Sequence, residues 1–287
     1  MSLYYRIILK FFLTVIGIIL ASALPALFNG IKLDISSYIS GLRSIVSGII
    51  HPNAITYEHL QKTHFLFPNI WPRWEYSMIL LFISFIIAFL FALALTLITM
   101  TLSEKKRKNV KSILYAGESV PDVFVVGLSI VTAVFIHKHT SIPFFSIASF
   151  GGNQIFTIPI VVLAILPTLL FYRTMIYDFE EESSQLYIEF AKSKGISAYH
   201  ILISHVLRNA IINIFLHSKS IIWFMLSNLL MIEYAFNIDG LMRFMFTTQD
   251  SLQILTTGLL LMFIPIYIMQ ASGQIVVERM TGKQVEV

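Results

Sequence analysis

Long apolar runs alternate with short polar breaks along this chain, and the breaks predict its elements. Apolar residues dominate from just after Lys10 to Phe28, then over Tyr76–Leu102, Ile113–Ile136, Phe156–Tyr177, Ala210–Ile232 and Leu252–Val276. Each run is close to the roughly 20 residues that a helix rising 1.5 Å per residue needs to cross about 30 Å of hydrocarbon. The expected fold is therefore an all-α membrane protein with six transmembrane helices. One lies within 1–28 and five lie within 76–287, separated by an external segment at 29–75. The first run exceeds the 7–15 apolar residues of a signal peptide and lacks a clear small-x-small cleavage site, so a retained span is expected.

Residues 29–75 follow a different pattern. Ile35, Ile39, Leu42, Ile45, Val46 and Ile49 recur near the 3.6-residue period, which predicts a short interfacial helix over Asp34–Ile50. Pro52, Pro68 and Pro72 come next, with Trp71 and Trp74 placed where indole rings suit the headgroup layer.

Composition sharpens this picture. Hydrophobic residues make up 56% of the 287 and charged residues only 13%, against about 25% charged in soluble domains. The absence of cysteine excludes a disulfide framework, a thiolate metal site and a cysteine nucleophile. The net charge of +4 reads as topology rather than as a nucleic-acid signal. Lys105, Lys106, Arg107, Lys108 and Lys111 abut the end of the second run, so the positive-inside bias places that loop in the cytoplasm. With six spans, both termini are then expected to be cytoplasmic, and the loop at 178–209 with them.

That loop carries the main candidate site. Tyr187–Lys194 suits a short helix, and Gly195 stands where helices commonly stop. The spacing Glu189-x-Ala191-x3-Gly195 resembles the "EAA" loop of ABC importer permeases. Three further blocks extend the likeness: Ser119-Val-Pro121, His205-x-Leu-Arg-Asn-Ala210, and Glu233-x2-Phe236-x3-Gly240-Leu241 with a later Asp250. Arg173 precedes the loop block at a matching distance. In these blocks the chain is similar to the oligopeptide, dipeptide and nickel ABC permeases, specifically the first of their two paired membrane subunits.

The resemblance implies a type I importer permease fold with a cytoplasmic coupling helix. It implies a second permease subunit, two ATPase subunits that carry ATP and Mg, and an extracellular substrate-binding protein. Tyr187, Glu189, Ala191, Lys194, Gly195 and Ile196 would couple to the ATPase. Glu233, Phe236, Gly240 and Asp250 would form an external gate or meet the binding protein. The chain also departs from the pattern, with Asn213 where the family has proline and Ser227-Asn228 where a glycine pair is usual. The Gly-Asp-Pro motif after the first span is missing.

Lys219 lies about ten residues into the fifth run, and a mid-bilayer ammonium costs at least about 3 kcal/mol on insertion scales. It is expected to face a water-filled path or a carboxylate, and Ser218, Trp223 and Asn228 join it as substrate-path candidates. Glu118 and Asp122, four residues apart, would share a helical face near the inner boundary. His137 and His139 lack the further ligand a metal site needs, so no metal is assigned. No Gly-x4-Gly-Lys-Ser/Thr loop occurs, so ATP hydrolysis is expected on another chain and no catalytic residue is named here. Two alternatives remain open: an ion-gradient-driven secondary transporter, and a membrane scaffold or signalling subunit with a permease fold. Peptides are the expected cargo and the cell membrane the expected location.

Overall fold

The computed structural model describes residues 3–30, 32–59, 62–140, 154–248 and 251–281, so Asp250 lies outside the described residues. In chain order the helices are α1 (Leu3–Ser22), α2 (Ile35–Ile50), α3 (Leu66–Thr101), α4 (Glu104–Glu118), α5 (Asp122–Thr140), α6 (Thr157–Ser183), α7 (Leu186–Ser193), α8 (Ala198–Ile201), α9 (Arg208–Ala235), α10 (Leu241–Thr247) and α11 (Leu252–Thr281). A π-helical segment, Leu202–Leu207, joins α8 to α9. Among the described residues, five helices are long and apolar enough to cross a membrane, with Ala198–Ala235 counted as one. The pair α4 and α5 makes a sixth candidate, bent by 93° at its break.

Two sequence expectations change here. The third span is not one helix over Ile113–Ile136. Pro121 has no N–H to give the carbonyl one turn back and disfavours helical backbone at Val120, so α4 stops at Glu118. The chain restarts when Phe124 and Val125 donate to the Pro121 carbonyl. Glu118 and Asp122 therefore sit on different helices and share no face. The second span starts ten residues before Tyr76, because Pro68 directly follows the non-helical Phe67 and occupies a first-turn position where its missing N–H is harmless. Asn69 Nδ2 donates to Phe65 O, and Arg73 Nη1 to Asn69 O, each at 3.0 Å.

The chain divides into two compact units, one holding residues up to Met78 and from Asp239 on, the other Ile79–Ile238. In the first, α1 packs on α11, with Phe11 5.9 Å from Phe263 and 5.4 Å from Tyr267 between ring centroids. Helix α2 is present over the expected residues. Asp34 caps it, accepting from Ser37 N at 3.1 Å and from the hydroxyls of Ser36 and Ser37. Those bonds hold its carboxyl at about 2, below the usual range.

The face that α2 turns to α11 keeps only Ile45 of the isoleucine stripe. It consists of Gly41, Ile45 and Gly48, which let the backbones approach until Leu252 and Gln253 fill the space a side chain would need. Ile35 and Ile39 are exposed. Among the described residues, two short hairpins, Phe28–Asn29 with Lys32–Leu33 and Thr56–His59 with Lys62–Phe65, also interrupt the stretch between α1 and α3. Tyr57 of the second stands edge-on to Phe244, at 5.1 Å.

In the second unit the core lies between α6 and α9. Phe171, Tyr172, Met175, Ile176 and Phe179 on α6, and Ile222, Met225 and Leu229 on α9, are fully buried. Phe85 and Phe89 of α3 meet the edge or face of Phe171, and Ser84 Oγ donates to Ile160 O at 3.0 Å.

Candidate functional site

The loop between α6 and α9 folds as the glycine at its centre requires. Helix α7 ends at Lys194, Gly195 takes φ +77°, and two bonds close the turn. Gly195 N donates to Lys192 O at 2.9 Å and Ile196 N to Ala191 O at 3.4 Å, the Schellman pattern that satisfies the last carbonyls of a helix. A Cβ at Gly195 would meet nothing within 4 Å, so only backbone conformation demands glycine there.

Of the coupling candidates, Ile188's neighbour Ala191 is buried and Ile196 half-buried, while Glu189, Lys194 and Gly195 are exposed. Ala191 and the fully buried Ile188 anchor the helix. The opposite face presents Leu186, 81% exposed, and Phe190, 61% exposed, with Lys194 Nζ 4.3 Å over the Phe190 ring.

Both ends of the loop are tied to the end of α6. Tyr187 donates its hydroxyl to Glu182 Oε1, and Asn209 Nδ2 reaches Glu182 Oε1 at 2.8 Å and Tyr187 Oη at 2.9 Å. Burial, and then the bond to Glu182, push the Tyr187 hydroxyl up to about 12, so it stays a donor. A second tie joins two other motif blocks, since Arg173 Nη1 lies 2.6 Å from Glu118 Oε1, just before Ser119-Val-Pro121.

The four path candidates on α9 do not share a face. At about 100° per residue Lys219 and Trp223 lie near one another, Asn228 lies well around the helix, and Ser218 points back into the protein. Ser218 is buried and donates to Phe215 O at 2.6 Å. The exposed stripe of α9 is instead Asn213, His217, Ser220, Trp223 and Ser227, at the three- and four-residue steps of one helical face. Lys219 is half-buried at its margin. Asn213 also donates to the buried carboxylate of Asp178 on α6.

Glu233, Phe236 and Gly240 take up a turn rather than a surface. Asn237 adopts φ +53°, Asn237 N donates to Tyr234 O, and Ile238 N to Glu233 O at 2.8 Å, which stops α9. Glu233 and Phe236 are fully buried, while Tyr234, Asn237 and Asp239 are exposed. Gly240 sits at the start of α10, whose first N–H, from Leu241, donates to Ser77 Oγ at 2.8 Å. Arg73 pairs with Asp239 at 2.8 Å.

Comparison with known proteins now decides the family. Residues 106–282, which hold every block above, match the binding-protein-dependent transport system inner membrane component family. The chain belongs to that family. This permease is 28% identical over 139 residues to proteins named peptide transport system permease proteins in Brucella abortus (strain 2308), Brucella suis biovar 1 and Brucella melitensis biotype 1. The matched stretch takes in 47% of the permease and 44% of each relative's length. A chain of the MetNI methionine ABC transporter, solved in inward-facing conformations, superposes with a TM-score of 0.53 at 16% identity. That match covers 74% of the permease and 94% of the MetNI chain, a likeness of fold alone. The fold is thus that of a type I ABC importer permease, a multi-pass protein of the inner membrane.

Two sets of residues in the permease escaped the sequence reading. Glu182 lies just outside the loop block, and its only signal was a carboxylate shortly before a tyrosine. On α9, Asn213, His217, Trp223 and Ser227 stand out in the sequence as departures or path candidates, but Lys219, as the sole charge of that run, hid the one face they share with Ser220.

Proposed function

We propose that this permease forms half of the translocation path of an ATP-driven importer of peptides, with α7 as the docking element for a separate ATPase. The carrying observation is the loop itself. An eight-residue helix presents Leu186 and Phe190 to solvent while Tyr187, in its first turn, is bonded to Glu182 of α6 and Asn209 of α9. Burying two such side chains in a partner's groove contributes about 1.5–3 kcal/mol each, and an exposed apolar helix face on a rigid mount suits that use. The ties to Glu182 would pass motion of the docked partner to α6 and α9 as one piece.

In this reading both termini and the 178–209 loop are cytoplasmic. A second permease subunit completes the path, two ATPases carry ATP and Mg, and an external binding protein delivers cargo. The α9 stripe supports the path. Asn213, His217, Ser220 and Ser227 facing lipid would be costly, so a water-filled route or a partner subunit is their fitting neighbour.

The test is co-expression with its candidate ATPases and second permease, followed by purification on a tag carried by this chain. Wild type should retain the ATPases, and Leu186→Asp with Phe190→Asp should lose them by at least about tenfold while still assembling with the other permease. Transport by the isolated chain in vesicles, or ATPase retention unaffected by the double variant, would refute the reading.

A further inference from the structure

Beside the loop, on its α4 side, lies a polar cavity of about 540 Å³ that takes in neither Leu186 and Phe190 of the docking face nor the α9 stripe. Arg107, Lys108 and Lys111 of α4 and Lys192 of α7 line it, together with the serine pair at the end of α6. Two carboxylates also line it. Glu180 is taken up by Lys111, at 2.6 Å, which leaves Glu104 against three cations. Lys108 and Lys192 have no acidic partner within ion-pair distance among the described residues.

Arg107 is held in place. Its Nη2 donates to Met100 O at 2.8 Å and to Leu102 O at 3.5 Å, which fixes the guanidinium against the last turn of α3. Its Nε is buried and finds no acceptor among the described residues. A guanidinium carries five N–H donors, so most of this one's capacity is unspent.

These features define what the cavity would accept. The excess of positive charge selects an anion, and a fixed guanidinium flanked by two unpaired ammonium groups suits the several oxygens of a phosphate. Depth selects the source. Arg107 is bonded to the terminal carbonyls of a 36-residue apolar helix, so the cavity opens where a span ends and headgroups begin. Basic pockets at the ends of spans recognise anionic headgroups, each nearby cation adding about 1 kcal/mol, roughly fivefold in affinity. We propose that this cavity binds a phosphate-bearing anion, the headgroup of an anionic phospholipid. The proposal does not depend on ATPase docking, since it concerns only the free charges of α4 and α7.

Native mass spectrometry of the full chain in detergent tests it, by titrating phosphatidylglycerol, phosphatidylcholine and inorganic phosphate separately. Phosphatidylglycerol should bind its first site at least about tenfold more tightly than phosphatidylcholine. Lys108→Gln with Lys192→Gln should raise that Kd by about ten- to thirtyfold. Lys105→Gln with Lys106→Gln removes the same charge at exposed positions outside the cavity, and it should change the Kd by less than about twofold. Phosphate binding that is lost in the first pair of substitutions, without any preference among lipids, would keep the phosphate site and reject the lipid source. Equal weakening by both pairs, or binding of neither phosphate nor anionic lipid, would overturn the site. ATPase retention is a separate readout, so failure here and failure of the docking reading are distinguishable.

Discussion

Removing one hydroxyl from Tyr187 tests whether the coupling loop is held as a unit. Tyr187→Phe deletes the donor to Glu182 and the acceptor for Asn209, but leaves the 2.8 Å bond between Asn209 and Glu182 in place. A hydrogen bond to a charged group contributes about 1.5–3 kcal/mol when shielded. Tyr187 is 40% exposed, so water replaces part of what is lost and about 1 kcal/mol is the fitting value. Local opening should then rise about fivefold.

Limited trypsin digestion of the reconstituted chain reads this opening. Lys192 and Lys194 are exposed cleavage sites between the two tied ends, and slow cleavage tracks the open population. Asn209→Ala should give a similar or larger increase. The double variant should cost less than the sum of the two by about 0.5–1 kcal/mol, because both substitutions break one shared network. The pH dependence follows from the raised hydroxyl. A folded value above tyrosine's ordinary one, about 10, means the contribution is complete below pH 10 and fades as pH climbs towards 12. The ratio of variant to wild-type cleavage should therefore be flat from pH 7 to 9. Additive costs in the double variant, or unchanged cleavage in Tyr187→Phe, would refute the clamp.

Two further outcomes follow from glycines. Gly195→Ala should raise cleavage at Lys192 and Lys194 by about five- to tenfold and Gly195→Asn far less, because only φ +77° is at stake; a loss that grows with side-chain size would refute this, checked by the same digestion. At Gly258 space is the constraint, since a Cβ would stand 2.0 Å from Met245 Sδ and 2.5 Å from its Cγ. Gly258→Ala should lower the thermal midpoint by several degrees, and adding Met245→Ala should recover part of that loss; no recovery would mean the clash is not the cause.

The spans were legible because about 20 apolar residues admit few other readings, and the Gly195 stop because a left-handed residue after a helix is nearly always glycine. The break at Pro121 was legible only as a proline able to kink a span, because Ile113–Leu114 and Val123–Val126 flank it as parts of one apolar run. The packed face of α2 was illegible for another reason. Sequence periodicity finds the larger apolar side chains, whereas close helix contact here selects Gly41 and Gly48. The clamp was illegible because Glu182, Tyr187 and Asn209 are 5 and 22 residues apart and meet only through the return of the chain. On α9, a count of polar residues could not distinguish the buried Ser218 from the exposed Ser220.

The segment Leu202–Leu207 closes its hydrogen bonds one residue further along the chain than the helix it feeds, and so winds more loosely. A coil wound this loosely holds slack: tightening it to the ordinary pitch would twist everything before it, α8 included, relative to α9 by about a quarter of a turn. The bonds among Glu182, Tyr187 and Asn209 bridge the same stretch from outside, so α7 and the first turn of α9 stay one piece while they hold, and the coil's slack is released only when they break.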